Sequence, residues 1–215
     1  MQGDSLKKIL YDVNHDSCPY RMNFHCHTTC SDGSLSPIEL IKQATSLSLD
    51  HIAVTDHHSV DSYDSILKWL SLNRSYYNKL PMLWSGIEIT CLINKCLVHV
   101  IGLGFNIDSK YLIPYKQGCS TTGIDLEAKN VIKAIHSAGG LAFLAHPARY
   151  RIDYRTLIHQ SHLLGFDGIE TWYNYEFSKP WKPSELICSK INEEVVKLGL
   201  LSTCGTDTHG YNITY

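Results

Sequence analysis

The chain has 215 residues, enough for one domain with a proper core. It is 44% hydrophobic and 19% charged, which excludes a disordered chain, and its formal net charge of -2 speaks against a coat for nucleic acid. Twelve histidines against nineteen Lys plus Arg is a heavy load of the commonest metal-binding side chain.

Residues 1–20 read as a polar lead-in with a helical turn around Leu6 to Tyr11, ahead of a single domain over residues 21–215. They lack a signal-peptide core. No apolar run reaches the roughly 18 residues that a membrane span needs, so the cytoplasm is the expected location and no membrane is involved. The first strand is expected at Arg21 to His27. On a strand, side chains alternate faces, so His25 and His27 project the same way. Asp32 follows in a turn eased by Gly33. Ser36-Pro37-Ile38-Glu39 has the signature of a helix start: serine cap, proline at the first turn and glutamate for a capping box.

A short strand, His51 to Asp56, runs into His57 and His58, and a helix follows from about Val60 to Tyr76. Met82 to Thr90 is a strand with Glu88 near its end. Cys96 to Leu103 is expected to form a hairpin with it through Ile93-Asn94-Lys95, carrying His99. A helix over about 125–137 closes at Gly139-Gly140. Leu141 to Pro147 is a buried strand ending on His146. A helix at Tyr154 to Leu164 precedes the strand Phe166 to Thr171. A helix over about 183–198 leads to the last strand, Leu200 to Thr206, which ends in Asp207-Thr-His209.

The alternation predicts a mainly parallel α/β sheet. His57, Glu88, His146, Asp207 and His209 all fall at or just past strand C-termini, where a β/α barrel carries its active site. The eight cysteines form no C-x2-C pair and read as reduced, mostly buried thiols. Cys26 lies between His25 and His27, so it should point to the opposite face.

Taken together, His25-x-His27-Thr with Ser31-Asp32-Gly33, Thr55-Asp56-His57, Gly86-Ile87-Glu88, His99, Ala145-His146-Pro147 and Thr206-Asp207-Thr-His209 resemble the PHP (polymerase and histidinol phosphatase) family of metal-dependent phosphoesterases. The resemblance implies an α/β fold, a distorted (β/α)7 TIM-like barrel. It implies two or three divalent metal ions, manganese, zinc or iron. His25, His27, Glu88 and Asp207 would surround one ion. Glu88 would bridge to a second, shared with His99 and His146, and Asp32, His57 and His209 would hold a third. Asp32, His57, Glu88 and Asp207 would be the catalytic set. The implied reaction is hydrolysis of a phosphate ester by metal-activated water, with no nucleophilic side chain.

Arg149 is the candidate phosphate-binding cation, with Arg151 and Arg155 close by, and His58 is expected to touch substrate. Glu170, at another strand end, is weighed as a hydrogen-bond partner of a ligand histidine. Tyr173, Tyr175, Trp172 and Trp181 are candidates for stacking a nucleobase. Aspartate at position 32 resembles the nucleotide-directed branch, the nucleoside 3',5'-bisphosphate phosphatases and 5'-to-3' exonucleases. The segment from Gly102 to Ala145 is too short for most of that branch's inserted subdomain, and the chain ends six residues after His209. The expected substrate is a phosphorylated small molecule or short nucleic acid, with no obligate protein partner. The alternatives are a small-molecule monoesterase, similar to histidinol phosphatase, and a noncatalytic structural module.

Overall fold

In the computed structural model, which describes residues 2–215, two sheets are joined edge to edge. The first holds β1 (Met22–Asn23), β2 (His51–Ala53) and β3 (Met82–Trp84), all parallel. The second holds β4 (Gly86–Ile93), β5 (Cys96–Leu103), β6 (Leu141–Leu144), β7 (Gly168–Trp172) and β8 (Leu201–Cys204), in that order. β3 and β4 are parts of one path, separated only by Ser85.

Both seams are sewn by backbone hydrogen bonds. On one side Phe24 N–H donates to the Cys204 carbonyl, and Cys26 bridges Thr208. On the other, Glu88 N–H donates to the Asp56 carbonyl, His58 N–H donates to the Glu88 carbonyl, and His57 bridges Glu88. Counting β3 and β4 together, the result is a closed TIM-like α/β barrel of seven strand positions.

It departs from an all-parallel barrel at β5, which runs antiparallel to both neighbours. The two-residue turn Asn94-Lys95 has both φ angles positive, the geometry that matches the twist of a tight hairpin.

The helices are α1 (Gln2–Leu10), α2 (Pro37–Ser46), α3 (Ser62–Asn73), α4 (Ala128–Ser137), α5 (Tyr154–Leu164) and α6 (Glu185–Lys197). α2 begins as its sequence dictates. The Ser36 hydroxyl accepts from Glu39 N–H, and the Glu39 carboxylate accepts from Ser36 N–H at 2.9 Å. Its Leu40, Ile41 and Ala44 are fully buried against α3 and the first sheet. None of the described helices is long and apolar enough to cross a membrane.

The lead-in is more than a helical turn. α1 lays Leu6 and Leu10 into a cluster with Met22, Phe24, Leu103, Phe143 and Leu201, so these first residues share the core of the barrel. All eight cysteines are free, and five of them are buried, including Cys26.

Candidate metal centre

The centre begins at the end of β1. His25 and His27 are both fully buried, with ring centroids 5.2 Å apart. Between them, the Cys26 thiol turns away and donates to the Ala53 carbonyl at 3.3 Å. Alternation along the extended chain explains both directions.

The opposite wall comes from β8. Gly205 lies so close to β1 that a Cβ there would overlap the Cβ of His25, so only glycine lets the two strands approach. Asp207 follows at φ +51°, a strained conformation for a residue with a side chain. It sends Oδ1 to 3.2 Å from both His25 Nε2 and His27 Nε2.

Glu88, almost fully buried on β4, is the hub. Its Oε2 stands 3.1 Å from His25 Nε2, 3.2 Å from His27 Nε2 and 3.4 Å from His57 Nδ1. Its Oε1 accepts from His99 Nδ1 at 2.9 Å and lies 3.4 Å from His146 Nε2. Five histidines therefore face one carboxylate. Burial works against its charge, but His25, His146 and His27 prevail and hold it well below the usual carboxylate range. Likewise burial pushes His27 down, yet the Asp207 and Glu88 carboxylates 3.2 Å from its Nε2 carry it up to about 9.

His99 reaches this hub although it sits in mid-strand. β5 runs downward, so its first half lies level with the upper end of β4, where His99 pairs with Thr90. His146 reaches it from a turn at φ +24°, just before Pro147.

Two carboxylates set the surroundings. Glu170 on β7 accepts from His25 Nδ1 at 2.8 Å with one oxygen and from His146 N–H at 2.8 Å with the other. Asp56 accepts from Thr28 N–H, the Thr28 hydroxyl and the Ser31 hydroxyl at 2.6–2.8 Å, which fixes the loop that carries Asp32. In that loop Asp32 Oδ1 is 3.3 Å from His209 Nε2, and Asp32 Oδ2 is 3.8 Å from His57 Nε2. Burial, with His27 and His99 nearby, lowers His57 to about 4.

Three groups of metal-binding atoms result, each with its atoms within 4.8 Å of one another: His25, His27, Glu88 and Asp207; His27, Asp32, His57 and His209; and His57, Glu88 and His99. His146 falls outside the third group, although the family resemblance pairs it with His99.

The first group can be tested for fit. Four ligands at about 2.0–2.1 Å in a tetrahedron stand about 3.3 Å apart. The nitrogen–oxygen edges here are 3.1–3.2 Å. Moreover, His25 Nε2, both ring nitrogens of His27, Glu88 Oε2 and His146 Nδ1 are buried with no hydrogen-bond partner. Buried polar atoms are almost always paired. The donor set fits a divalent cation.

One expectation is corrected. His58 does not face the cleft. Its Nδ1 donates to the Tyr115 carbonyl at 3.3 Å and its Nε2 accepts from Thr90 N–H at 3.1 Å, so both nitrogens are spent pinning the following loop to β4.

Arg149 does line the site: its Nη1 donates to Asp207 Oδ2 and to the Tyr173 hydroxyl, both at 2.9 Å. Tyr173 also donates to Asp207 Oδ2 at 2.8 Å, a bond between residues 34 apart with no local sequence signal. Tyr173 and Trp181 are buried, so neither offers an open face for stacking. Arg155 instead pairs with Glu194 between α5 and α6, and His136 and His159 pair with Asp167 and Glu194 outside the centre.

Comparison with known proteins places this geometry in a family. The PHP domain family matches residues 23–198. The 5'-3' exoribonuclease Rnm of Escherichia coli is 24% identical over 164 residues, covering 70% of this chain and 51% of its own length. That of Salmonella typhimurium is 29% identical over 105 residues, covering 49% of this chain and 32% of its own. The chain thus spans about half, or less, of these relatives.

Among solved structures, an amidohydrolase from Chromobacterium violaceum superposes with a TM-score of 0.75 at 17% identity, covering 91% of this chain and 90% of that one. A protein from Bifidobacterium adolescentis, assigned as a metal-dependent phosphoesterase, gives a TM-score of 0.70 at 19% identity, covering 90% and 89%. These likenesses bear on the fold. The family match spans most of the sequence, including the strands that carry His25, Glu88 and His146, and the chain therefore belongs to the PHP domain family.

Proposed function

We propose that this chain is a metal-dependent phosphoesterase that hydrolyses phosphate esters of nucleotides or short oligonucleotides. The observation that carries the reading is the buried convergence of His25, His27, Glu88 and Asp207 with their inner atoms unpaired. Family membership and the likeness to 5'-3' exoribonucleases support the substrate class.

His25, His27, Glu88 and Asp207 would hold one divalent ion. Glu88, His99 and His146 would serve a second, and Asp32, His57 and His209 a third. Manganese, zinc or iron suits such a nitrogen and oxygen set. When bound, the ions supply Lewis acidity toward the phosphate and an activated water as nucleophile.

The chain's own residues do the rest. Glu170 keeps the proton of His25 on Nδ1, so Nε2 faces inward. Asp56 holds the loop that presents Asp32 to the cleft. Arg149 spends Nη1 on Asp207 and Tyr173, and its guanidinium fork retains further donors to orient a phosphate.

The test is a metal and substrate survey. The purified protein should take up two or three transition-metal ions per chain. With manganese it should hydrolyse adenosine 3',5'-bisphosphate or 5'-phosphorylated oligonucleotides faster than histidinol phosphate. A folded protein that refuses manganese and zinc would sink the reading.

A further inference from the structure

A second cleft opens from the metal centre. It measures about 270 Å³ and shares Arg149, Asp207 and His209 with the centre itself. Its far wall is the segment after β7, where Phe177 is 70% exposed at φ +52°. That is the left-handed region, which a bulky aromatic residue disfavours.

A clamp enforces the conformation. The buried Asn174 accepts from Ser178 N–H at 3.0 Å and from the Ser178 hydroxyl at 3.1 Å, and its Nδ2 donates to the Ser178 carbonyl at 2.9 Å. The loop so closed presents the Phe177 ring to solvent beside the cleft. Neither the exposed ring nor the strained backbone stabilises the fold; glycine or a polar residue would serve better there. Imposed strain next to a polar site is a mark of ligand binding.

Charge lines the same cleft as the Phe177 ring. Lys179 lines the same cleft, its Nζ 5.7 Å from the centroid of the Tyr215 ring. An aromatic face next to a cation is how single-stranded nucleic acid is held: bases stack on the ring and the backbone meets the charge.

We propose that Phe177 and Lys179 form a subsite for the nucleotide adjoining the reacting phosphate, so that the preferred ligand is a single-stranded oligonucleotide and not a mononucleotide. Phe177 stacks its base and Lys179 meets its next phosphate. The placement of the reacting phosphate rests on the phosphoesterase reading above. Since every base has a face to stack, the subsite tolerates any sequence.

The test is equilibrium binding, by anisotropy, of a fluorescein-labelled, 5'-phosphorylated oligonucleotide with phosphorothioate linkages to the metal-loaded protein. Phe177→Ala should weaken binding about tenfold, and Phe177→Trp should restore it. Phe177→Gly should weaken binding as much as alanine does, yet melt no lower than the native protein, because glycine adopts φ +52° without strain. Lys179→Ala should reduce the slope of log affinity against log salt by about 0.7, one phosphate contact on a single strand.

Equal affinity of the native protein and Phe177→Ala overturns the subsite, and so does a native protein that binds no oligonucleotide. Either result is compatible with continued hydrolysis of a small alkyl phosphate, which reports on the phosphoesterase reading alone. Loss of all hydrolysis with the Phe177 effect on binding intact overturns that reading and supports the stacking surface.

Discussion

His25 Nδ1 donates to Glu170 Oε1 at 2.8 Å, and both side chains are fully buried. In the neutral ring that bond leaves the lone pair on Nε2, which faces Glu88 and Asp207. The second oxygen of Glu170 holds His146 N–H, so one carboxylate on β7 orients two candidate ligands from different strands. Partners of this kind are worth about 10–100-fold in metal affinity. Glu170→Gln keeps the shape and loses the charge, and we expect a weakening in that range, read by competition with a zinc chelator. Unchanged affinity would mean that His25 is oriented by its packing alone.

Glu88 belongs to two of the three groups, with His25, His27, His57, His99 and His146 around it. Glu88→Gln should therefore lower metal content and slow turnover of a small phosphate ester by more than about a hundredfold, the upper end of what an outer partner costs. Elemental analysis of the purified variant gives the first quantity and steady-state assay the second. Full metal content with full activity would show the hub to be misassigned.

Much of this centre is legible in the sequence because strand geometry is local. The spacing of His25 and His27 fixes their common face, and the capping box at Ser36 and Glu39 fixes where α2 begins. Other features depend on contacts far along the chain. The depth of His99 follows from the β4–β5 hairpin that the sequence predicts, but its reach to Glu88 depends on the register that pairs it with Thr90. His58 follows His57 directly, but its φ of +50° turns it toward Tyr115 and Thr90. Phe177 is invisible as a site residue because nothing in its local sequence announces a positive φ; the Asn174 and Ser178 clamp imposes it. The polar composition of residues 1–20 hides the two leucines of α1 that reach the core.

Far from the centre, His136 on α4 bonds Asp167 at 2.7 Å, and the same Asp167 oxygen accepts from Ala142 N–H at 2.8 Å. The bond to Asp167 raises the pKa of His136 above its ordinary value. A raised histidine stabilises the fold fully below its unfolded pKa of about 6.5, and the contribution fades as pH rises through the folded value. His136 is 40% exposed, so solvent screening limits the gain to about 0.5 kcal/mol. In urea, His136→Gln should lower the unfolding midpoint more at pH about 5.5 than at pH about 8.5. A larger deficit at the higher pH would show that the His136–Asp167 bond does not stabilise the fold through protonated His136.

At the base of the barrel, Leu6 of α1 is fully buried among Phe24, Leu103 and Phe143. Truncating a buried leucine leaves a cavity as well as lost burial, at a cost of about 2–5 kcal/mol. Leu6→Ala should fall in that range by urea unfolding, whereas Tyr11→Ala, at a position 69% exposed, should change stability by less than about 0.5 kcal/mol. The metal ligands sit at the opposite ends of the strands, so the folded Leu6→Ala protein should bind zinc as the native one does. If Leu6→Ala unfolds no more readily than Tyr11→Ala, α1 rests on the barrel without sharing its core.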